Sequence, residues 1–320
     1  MRHPGWQYRK GLHDLGGGSW AWLQPDGSWG LSNAGLVVDG ERTLLVDTLF
    51  DLPLTRTMLN AMRDAVPAAA RMDTLVNTHA NGDHCFGNEL VEGAVIVSSR
   101  ACAEEMGEVP PELLAEMVRN AERFGPAGAF MREAFGGFEF DGITLTPPTE
   151  TFEGEQTRQL GDKEVRLLEV GPAHTRGDVI VHVAADGVVY TGDILFIEGH
   201  PIIWSGPIAN WVRACERICE MQPEVVVPGH GPLTDLSGVR AMRDYLTMLE
   251  REARARFDAG MPVEEAARDI AFDDYASWGD AERIAVNLNT LYREFDPAQP
   301  AASTVDLFTL MAELKRDRRE

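Results

Sequence analysis

Short apolar segments alternate with turn residues along the first part of the chain. Residues 19–23, 34–38 and 42–48 are rich in aromatic, β-branched and aliphatic side chains, and Asp-Gly turn signals separate them. Short β-prone runs bounded by turn residues predict strands. Apolar residues then recur at helical spacing over 53–66, which predicts a helix, and the apolar run 72–77 predicts another strand.

The same patterns divide the rest of the chain into three parts. Residues 100–136 favour helices separated by proline and glycine, which predicts a helical insertion over the core. Strand patterns return between 143 and 190 and again at 225–227. From 237 onward the apolar period is helical. The predicted strands of the middle part are 164–170, 179–183 and 188–191, and the predicted C-terminal helices are 239–259, 263–271, 280–295 and 305–315.

Composition and charge narrow the classes of function. With 320 residues, 44% of them hydrophobic and 25% charged, the chain has the composition of a globular protein. Its formal net charge of −22 disfavours a nucleic-acid partner, because phosphate binding requires a positive field. No apolar run is long enough to cross a bilayer, and the first residues lack the apolar core of a signal peptide. We therefore expect a cytoplasmic protein without a membrane partner.

Imidazole and carboxylate groups recur in loops that follow predicted strands. Glycine or a carboxylate lies near each of them, and glycine and proline permit tight loops that fix ligand directions. Histidine and carboxylate are ligands that suit zinc, iron or manganese. Five recurrences of one context are hard to obtain from structural residues alone. The five are His79 and His84 within 78–84, His174 within 171–175, Asp193 within 190–193, and His230 within 228–231.

These loops, in this order, resemble the metal-binding loops of the metallo-β-lactamase superfamily. The resemblance covers roughly residues 17–235 and implies an α/β fold, a four-layer αβ/βα sandwich with metals at one edge of two facing sheets. We accordingly expect a catalytic domain at 1–236, with the helical insertion at about 100–136, and a C-terminal helical extension at 237–320 that packs on or covers the site. The motifs are His-Ala-Asn-Gly-Asp-His at 79–84, Gly-Pro-Ala-His-Thr-Arg-Gly-Asp at 171–178, Thr-Gly-Asp at 191–193 and Pro-Gly-His-Gly at 228–231.

The resemblance also implies a ligand set, with one departure from the family pattern. The family's first loop is His-x-His-x-Asp-His, and Asn81 stands where the second histidine should be. An amide oxygen is a weaker donor to zinc than imidazole, so we expect the first metal position to bind less tightly. One or two Zn²⁺ ions, Mn²⁺ or Fe²⁺ in their place, and a metal-free relic are the alternatives. The implied ligands are His79, Asn81 and His174 for the first metal, Asp83, His84 and His230 for the second, and Asp193 as the bridge.

Three further residues are candidates for the surroundings of the site. Asp47 closes the predicted strand 42–48, and the resemblance implies that it lies beside the site, behind the ligands. His200 and Trp204 follow Asp193 closely enough in sequence to line a pocket, although ordinary packing under a loop is the alternative. Cys85 follows His84 directly, and we interpret it as a buried structural thiol.

The implied function is that of a metal-dependent hydrolase. A bound divalent cation lowers the pKa of its water, so metal-bound hydroxide would attack a small-molecule acyl substrate: a thioester, a lactone or another ester-like bond. Asp83 would orient that water or take its proton. The first alternative is a polyketide cyclase or thioesterase that uses the same metal site, and the second is a non-catalytic binding module. Apolar positions on the last helices could support a homodimer.

Overall fold

The computed structural model describes residues 2–318 and contains two facing β-sheets. The first has seven strands in the order β1-β2-β3-β4-β5-β6-β7, and the second has five in the order β12-β11-β10-β9-β8. The strands are β1 Gly11–Gly16, β2 Ser19–Leu23, β3 Ala34–Asp39, β4 Arg42–Val46, β5 Thr74–Val76, β6 Val95–Ser99, β7 Glu150–Phe152, β8 Glu155–Leu160, β9 Lys163–Glu169, β10 Val179–Val183, β11 Val188–Tyr190 and β12 Val225–Val227.

Helices occupy the outer faces of both sheets and the C-terminal part of the chain. In the first sheet, β1 to β4 pair antiparallel, and β4 to β7 pair parallel. In the second sheet only β11 and β12 are parallel. The helices are α1 Leu52–Ala65, α2 Gly82–Cys85, α3 Arg100–Glu105, α4 Pro111–Arg119, α5 Gly125–Phe135, α6 Ile208–Met221, α7 Leu236–Asp258, α8 Val263–Asp269, α9 Ile284–Phe295 and α10 Thr304–Asp317.

Three of the apolar cores within residues 2–318 hold the sheets and helices in four layers. The core between the sheets combines side chains of both, such as Val46 of β4 and Val181 of β10. On the outer face of the first sheet, Leu75 packs against Met58 of α1. On the outer face of the second sheet, the buried side chains of α6 and α7, and those of the last helices, form one continuous core. Because β10 is covered on both faces, it is apolar throughout apart from His182. The αβ/βα sandwich expected from the resemblance is therefore present.

The predicted helices occur with boundaries shifted by a few residues. The insertion contains α3, α4 and α5, and the extension contains α7 to α10. Trp29, in the loop between β2 and β3, joins the two, because its ring contacts Phe130 and Phe135 of the insertion and Phe308 of α10. The division of the chain at 236/237 stays a prediction.

Some elements differ from those expected. The predicted strand 42–48 ends at Val46, since Asp47 adopts a left-handed φ of 62° and turns the chain toward the site. The loop after β5 contains the short helix α2, which the sequence did not predict. Within residues 2–318, none of the helices is both long enough and apolar enough to cross a membrane.

Candidate metal centre

The candidate ligands lie where strands of the two sheets end at one shared edge. His79, Asp83 and His84 follow β5, Asp193 follows β11, and His230 follows β12. His174 lies in the loop that leads from β9 into β10. Since β4 and β5 run parallel in one sheet and β11 and β12 in the other, the loops at their carboxyl ends meet at the same edge.

The carboxylate of Asp193 lies at the centre of four histidines. Its Oδ1 is 3.1 Å from Nε2 of His84. Its Oδ2 is 3.3 Å from Nε2 of His174, 3.5 Å from that of His230 and 3.8 Å from that of His79. One carboxylate therefore reaches all four imidazoles.

Asp83 completes a second group beside the first. Its Oδ2 is 3.3 Å from Nε2 of His230 and 3.9 Å from Nε2 of His84. Among the described residues, two groups have ligand atoms close enough together to hold one ion. The first is His79, His84 and Asp193, and the second is Asp83, His84 and His230.

Each histidine uses Nδ1 for a hydrogen bond and so directs Nε2 toward the centre. Nδ1 of His174 donates to the backbone oxygen of Ile202 at 2.7 Å, and Nδ1 of His230 donates to that of Gly27 at 3.0 Å. A backbone oxygen can only accept, so these bonds assign the proton to Nδ1 and leave the Nε2 lone pair free for a cation.

Asp47 orients the other two histidines. Its Oδ2 accepts a hydrogen bond from Nδ1 of His84 at 2.9 Å and another from the Thr78 hydroxyl at 2.7 Å. The Thr78 oxygen in turn accepts from Nδ1 of His79 at 3.0 Å. One buried carboxylate thus fixes two rings, and its strained φ of 62° lies at the point where the strand turns into the site.

The unpartnered atoms of the cluster test whether a cation fits. Nε2 of His79, His84 and His174 and Oδ1 of Asp193 are buried without a hydrogen-bond partner. Buried polar atoms almost always have a partner, and a cation at this point would satisfy all four of these atoms. Imidazole and carboxylate are a donor set for a first-row divalent cation, so the residues present fit a metal ion.

The pKa shifts of the histidines in the cluster show where the carboxylates favour a positive charge. Burial opposes protonation of His230, but the carboxylates of Asp193 and Asp83 outweigh it and raise its pKa to about 9. Burial also opposes protonation of His84, and the same carboxylates hold its pKa well above the usual value. Burial and the neighbouring His84 hold the pKa of His79 well below it. The carboxylates thus attract positive charge to the side of the cluster where Asp83 lies.

Glycine allows the loops to approach this closely. A Cβ on Gly229 would collide with the Asp193 carboxylate, and a Cβ on Gly192 would collide with the Thr78 side chain. Gly192 also has a φ of 49°. The glycines before Asp193 and His230 are therefore needed for close approach.

Asp178, which lies within the second motif, holds the loop of His174 in place. Its carboxylate accepts hydrogen bonds from the backbone N–H groups of Ala173 and Thr175 and from the Thr175 hydroxyl. Asp178 belongs to the motif at 171–178, but the motif by itself does not predict this role. The signal that could have identified it is a carboxylate closing a glycine-rich turn.

We expect Asp178→Asn to lower the free energy of unfolding by about 2–3 kcal/mol, because an amide cannot accept all of these buried hydrogen bonds. Chemical denaturation measures the change. Asp162→Asn, on an exposed turn, is the matched control and should change stability by less than about 0.5 kcal/mol. Equal stabilities of the two variants would contradict this role.

The remaining candidates lie in different surroundings. Asn81 is half-buried at the start of α2, and its side chain does not cap that helix. Trp204 is 37% exposed, and its backbone N–H donates to the carbonyl of His174 at 3.0 Å, which places it beside the site. His200 is fully buried among Tyr245 and Phe272, so it packs in the C-terminal core rather than facing solvent in a pocket.

Two facing sheets with a histidine–carboxylate cluster at their edge define a metal-dependent enzyme of the αβ/βα class. A family model described as the metallo-beta-lactamase superfamily matches residues 27–230, and the chain belongs to this family. It is a metallo-hydrolase of that superfamily.

Three similar proteins accompany the family match, one relative by sequence and two solved structures. The hydroxyacylglutathione hydrolase of Maricaulis maris is 24% identical over 245 residues, which cover 73% of this chain and 77% of that protein. A metallo-beta-lactamase from Pontibacter korlensis is 20% identical with a TM-score of 0.55, over 75% of this chain and 99% of that one. The inverting sec-alkylsulfatase Pisa1 from Pseudomonas sp. is 15% identical with a TM-score of 0.67, over 91% of this chain and 51% of that one. The two solved structures share the fold of this chain.

Proposed function

We propose that the chain is a zinc-dependent hydrolase of thioesters or related acyl bonds in small molecules. The observation that carries the proposal is the convergence of four imidazole Nε2 atoms on the carboxylates of Asp83 and Asp193. The similarity to a protein named hydroxyacylglutathione hydrolase supports the acyl substrate, since an acylglutathione is a thioester. Zinc as the metal, the cytoplasmic location and a homodimer stay predictions.

The resemblance implies the ligand sets, and the close approach of Asp83, His84 and His230 supports the second of them. His79 and His174, with Asn81, would hold the first metal, and Asp83, His84 and His230 the second, with Asp193 between them. When bound, the cation supplies a Lewis acid that lowers the pKa of a water and polarises the substrate carbonyl. The chain itself supplies fixed ring directions, because every Nδ1 is already held by Asp47, Thr78, or a backbone oxygen.

Asp83 is the group best placed to handle a proton. Its side chain is 13% exposed, whereas those of the four histidines and Asp193 are at most 5% exposed. Burial would raise the pKa of Asp83, but His84 and His230 outweigh that effect and lower it, so the group is ionised at neutral pH. An ionised carboxylate at the accessible side of the cluster can orient the attacking water and accept its proton.

We expect Asp83→Ala and His84→Ala each to lower kcat/KM by about a hundredfold or more, because each removes a ligand and Asp83 also handles the proton. The assay uses an S-acyl glutathione, a lactone and an aryl ester with the zinc-loaded chain, and acid release is followed by titration. Metal content is measured in parallel. Undiminished activity in both variants would refute the proposal, and so would the absence of hydrolysis of all three substrates by the zinc-loaded wild type.

A further inference from the structure

A buried arginine of the C-terminal extension lies behind the candidate ligand His230. Arg283 precedes α9, outside the part of the chain that matches the family, and is only 2% exposed. Its Cζ atom lies 4.5 Å from the ring centroid of Trp29 and 5.2 Å from that of Phe196. A buried guanidinium this close to two aromatic rings attracts both through cation–π interaction.

The second of these rings, that of Phe196, stacks against the ring of His230. The rings of Phe196 and His230 are parallel, with their centroids 5.1 Å apart. The backbones of the two residues pair as well, and the N–H of Ile197 donates to the carbonyl of His230 at 2.9 Å. Any shift of Phe196 would therefore be passed to the His230 ring.

The same arginine is tied to the loop that fixes the proton of His230. Its Nη2 is 3.1 Å from Oδ2 of Asp280, and Oδ1 of that carboxylate accepts from the Ser28 hydroxyl at 2.7 Å. Ser28 follows Gly27, whose carbonyl accepts from Nδ1 of His230. Arg283 thus reaches His230 along two routes, through a stacked ring and through a hydrogen-bonded loop.

A third contact anchors the guanidinium. Its Nη1 donates to the backbone oxygen of His200 at 2.8 Å, in the segment that follows Asp193. The guanidinium therefore lies close to two aromatic rings and also reaches two acceptors, a combination that a lysine ammonium cannot reproduce.

We propose that Arg283 is a positioning residue for the metal centre, which holds Phe196 and the 27–29 loop so that His230 directs Nε2 at the cation. The C-terminal extension thereby completes a site whose ligands all lie in the family-matched part of the chain. This inference rests on the proposed metal centre. Residues that orient a ligand from behind typically change metal affinity by about 10- to 100-fold when they are replaced.

The test compares Arg283→Lys, Arg283→Met and Ser28→Ala with the wild type. Cobalt affinity is measured by competition with a chelator, and the visible absorption of bound Co²⁺ reports ligand geometry. We expect about tenfold weaker binding and an altered spectrum for Arg283→Met, a partial effect for Arg283→Lys, and a smaller change in the same direction for Ser28→Ala. Arg254→Met is the matched control, because that guanidinium also stacks on a ring, that of Phe295 at 3.7 Å, away from the site.

A crystal structure of metal-free Arg283→Lys separates this inference from the proposed function. We expect the Phe196 ring to leave His230 and the bond from Nδ1 to the Gly27 oxygen to lengthen beyond 3.5 Å. Wild-type affinity and spectrum in both Arg283→Lys and Ser28→Ala would overturn the inference, even if Arg283→Met does not fold. If the wild type binds no cation, the proposed function fails, and the crystal structure still decides whether Arg283 positions His230.

Discussion

Replacing Asp193 with alanine is expected to abolish tight metal binding and to lower kcat/KM by about a thousandfold. The two oxygens of Asp193 lie 3.1–3.8 Å from the Nε2 atoms of all four histidines of the cluster, whereas Asp83 lies within 4 Å of the Nε2 atoms of His84 and His230. Without the carboxylate, four buried imidazoles face one another with less negative charge to attract a cation. Both candidate positions should lose affinity, whereas loss of Asp83 should affect mainly the second.

Metal content after dialysis, measured by elemental analysis, and hydrolysis rates check this prediction. Asp141→Ala, whose side chain is 77% exposed and pairs only with Arg119 among the described contacts, is the control and should retain the wild-type values. Thermal unfolding with a chelator present shows whether the Asp193→Ala chain is folded. A folded variant that keeps its full metal content would contradict the bridging role.

Replacing Asn81 with histidine is expected to strengthen the first metal position by tenfold or more. Imidazole is a better zinc donor than a neutral amide, and this change restores the His-x-His-x-Asp-His pattern of the superfamily. The position is half-buried, and its side chain makes no capping hydrogen bond to α2 that the change would remove. At a low free zinc concentration, the number of zinc ions bound per chain should rise from near one toward two.

Calorimetric titration with zinc measures both stoichiometry and affinity. Asn81→Ala should lower the affinity of the first position further if the amide oxygen contributes. Adding His79→Ala to Asn81→His should reverse the gain, because the two histidines would hold the same ion. An Asn81→His chain that binds zinc as the wild type does would show that residue 81 does not face the first position.

Much of the fold could be predicted because its signals are local. The helical period identified α1 and the C-terminal helices, and buried strands such as β10 and β12 are short apolar runs bounded by turn residues. The strands β1 and β6 were not predicted, and β7 and β8 were covered only by the broad strand pattern between 143 and 190. β8, Glu155–Leu160, is polar at nearly every position, and its pairing with β9 makes it a strand. An edge strand exposes polar side chains, so its sequence carries little of the apolar alternation that identifies a strand.

The contrast between His84 and His200 shows where sequence reasoning about the site stops. Both histidines occur in loops beside glycine, and each could face a pocket. His84 points into the cluster because Asp47 holds its Nδ1. His200 instead bonds through Nδ1 to the hydroxyl of Tyr245, on a helix of the extension far away in sequence. Only packing distinguishes them.

The sequence by itself determined the superfamily, the order of the metal loops and the identity of the candidate ligands. Each of these loops is a short motif, and its histidine and carboxylate residues are typical metal ligands. Only the tertiary structure decided which atoms of these residues face one another and how each ring is held. It also brought Arg283, which belongs to no motif, behind His230. Contacts between distant segments depend on how whole layers pack, and no local pattern encodes them.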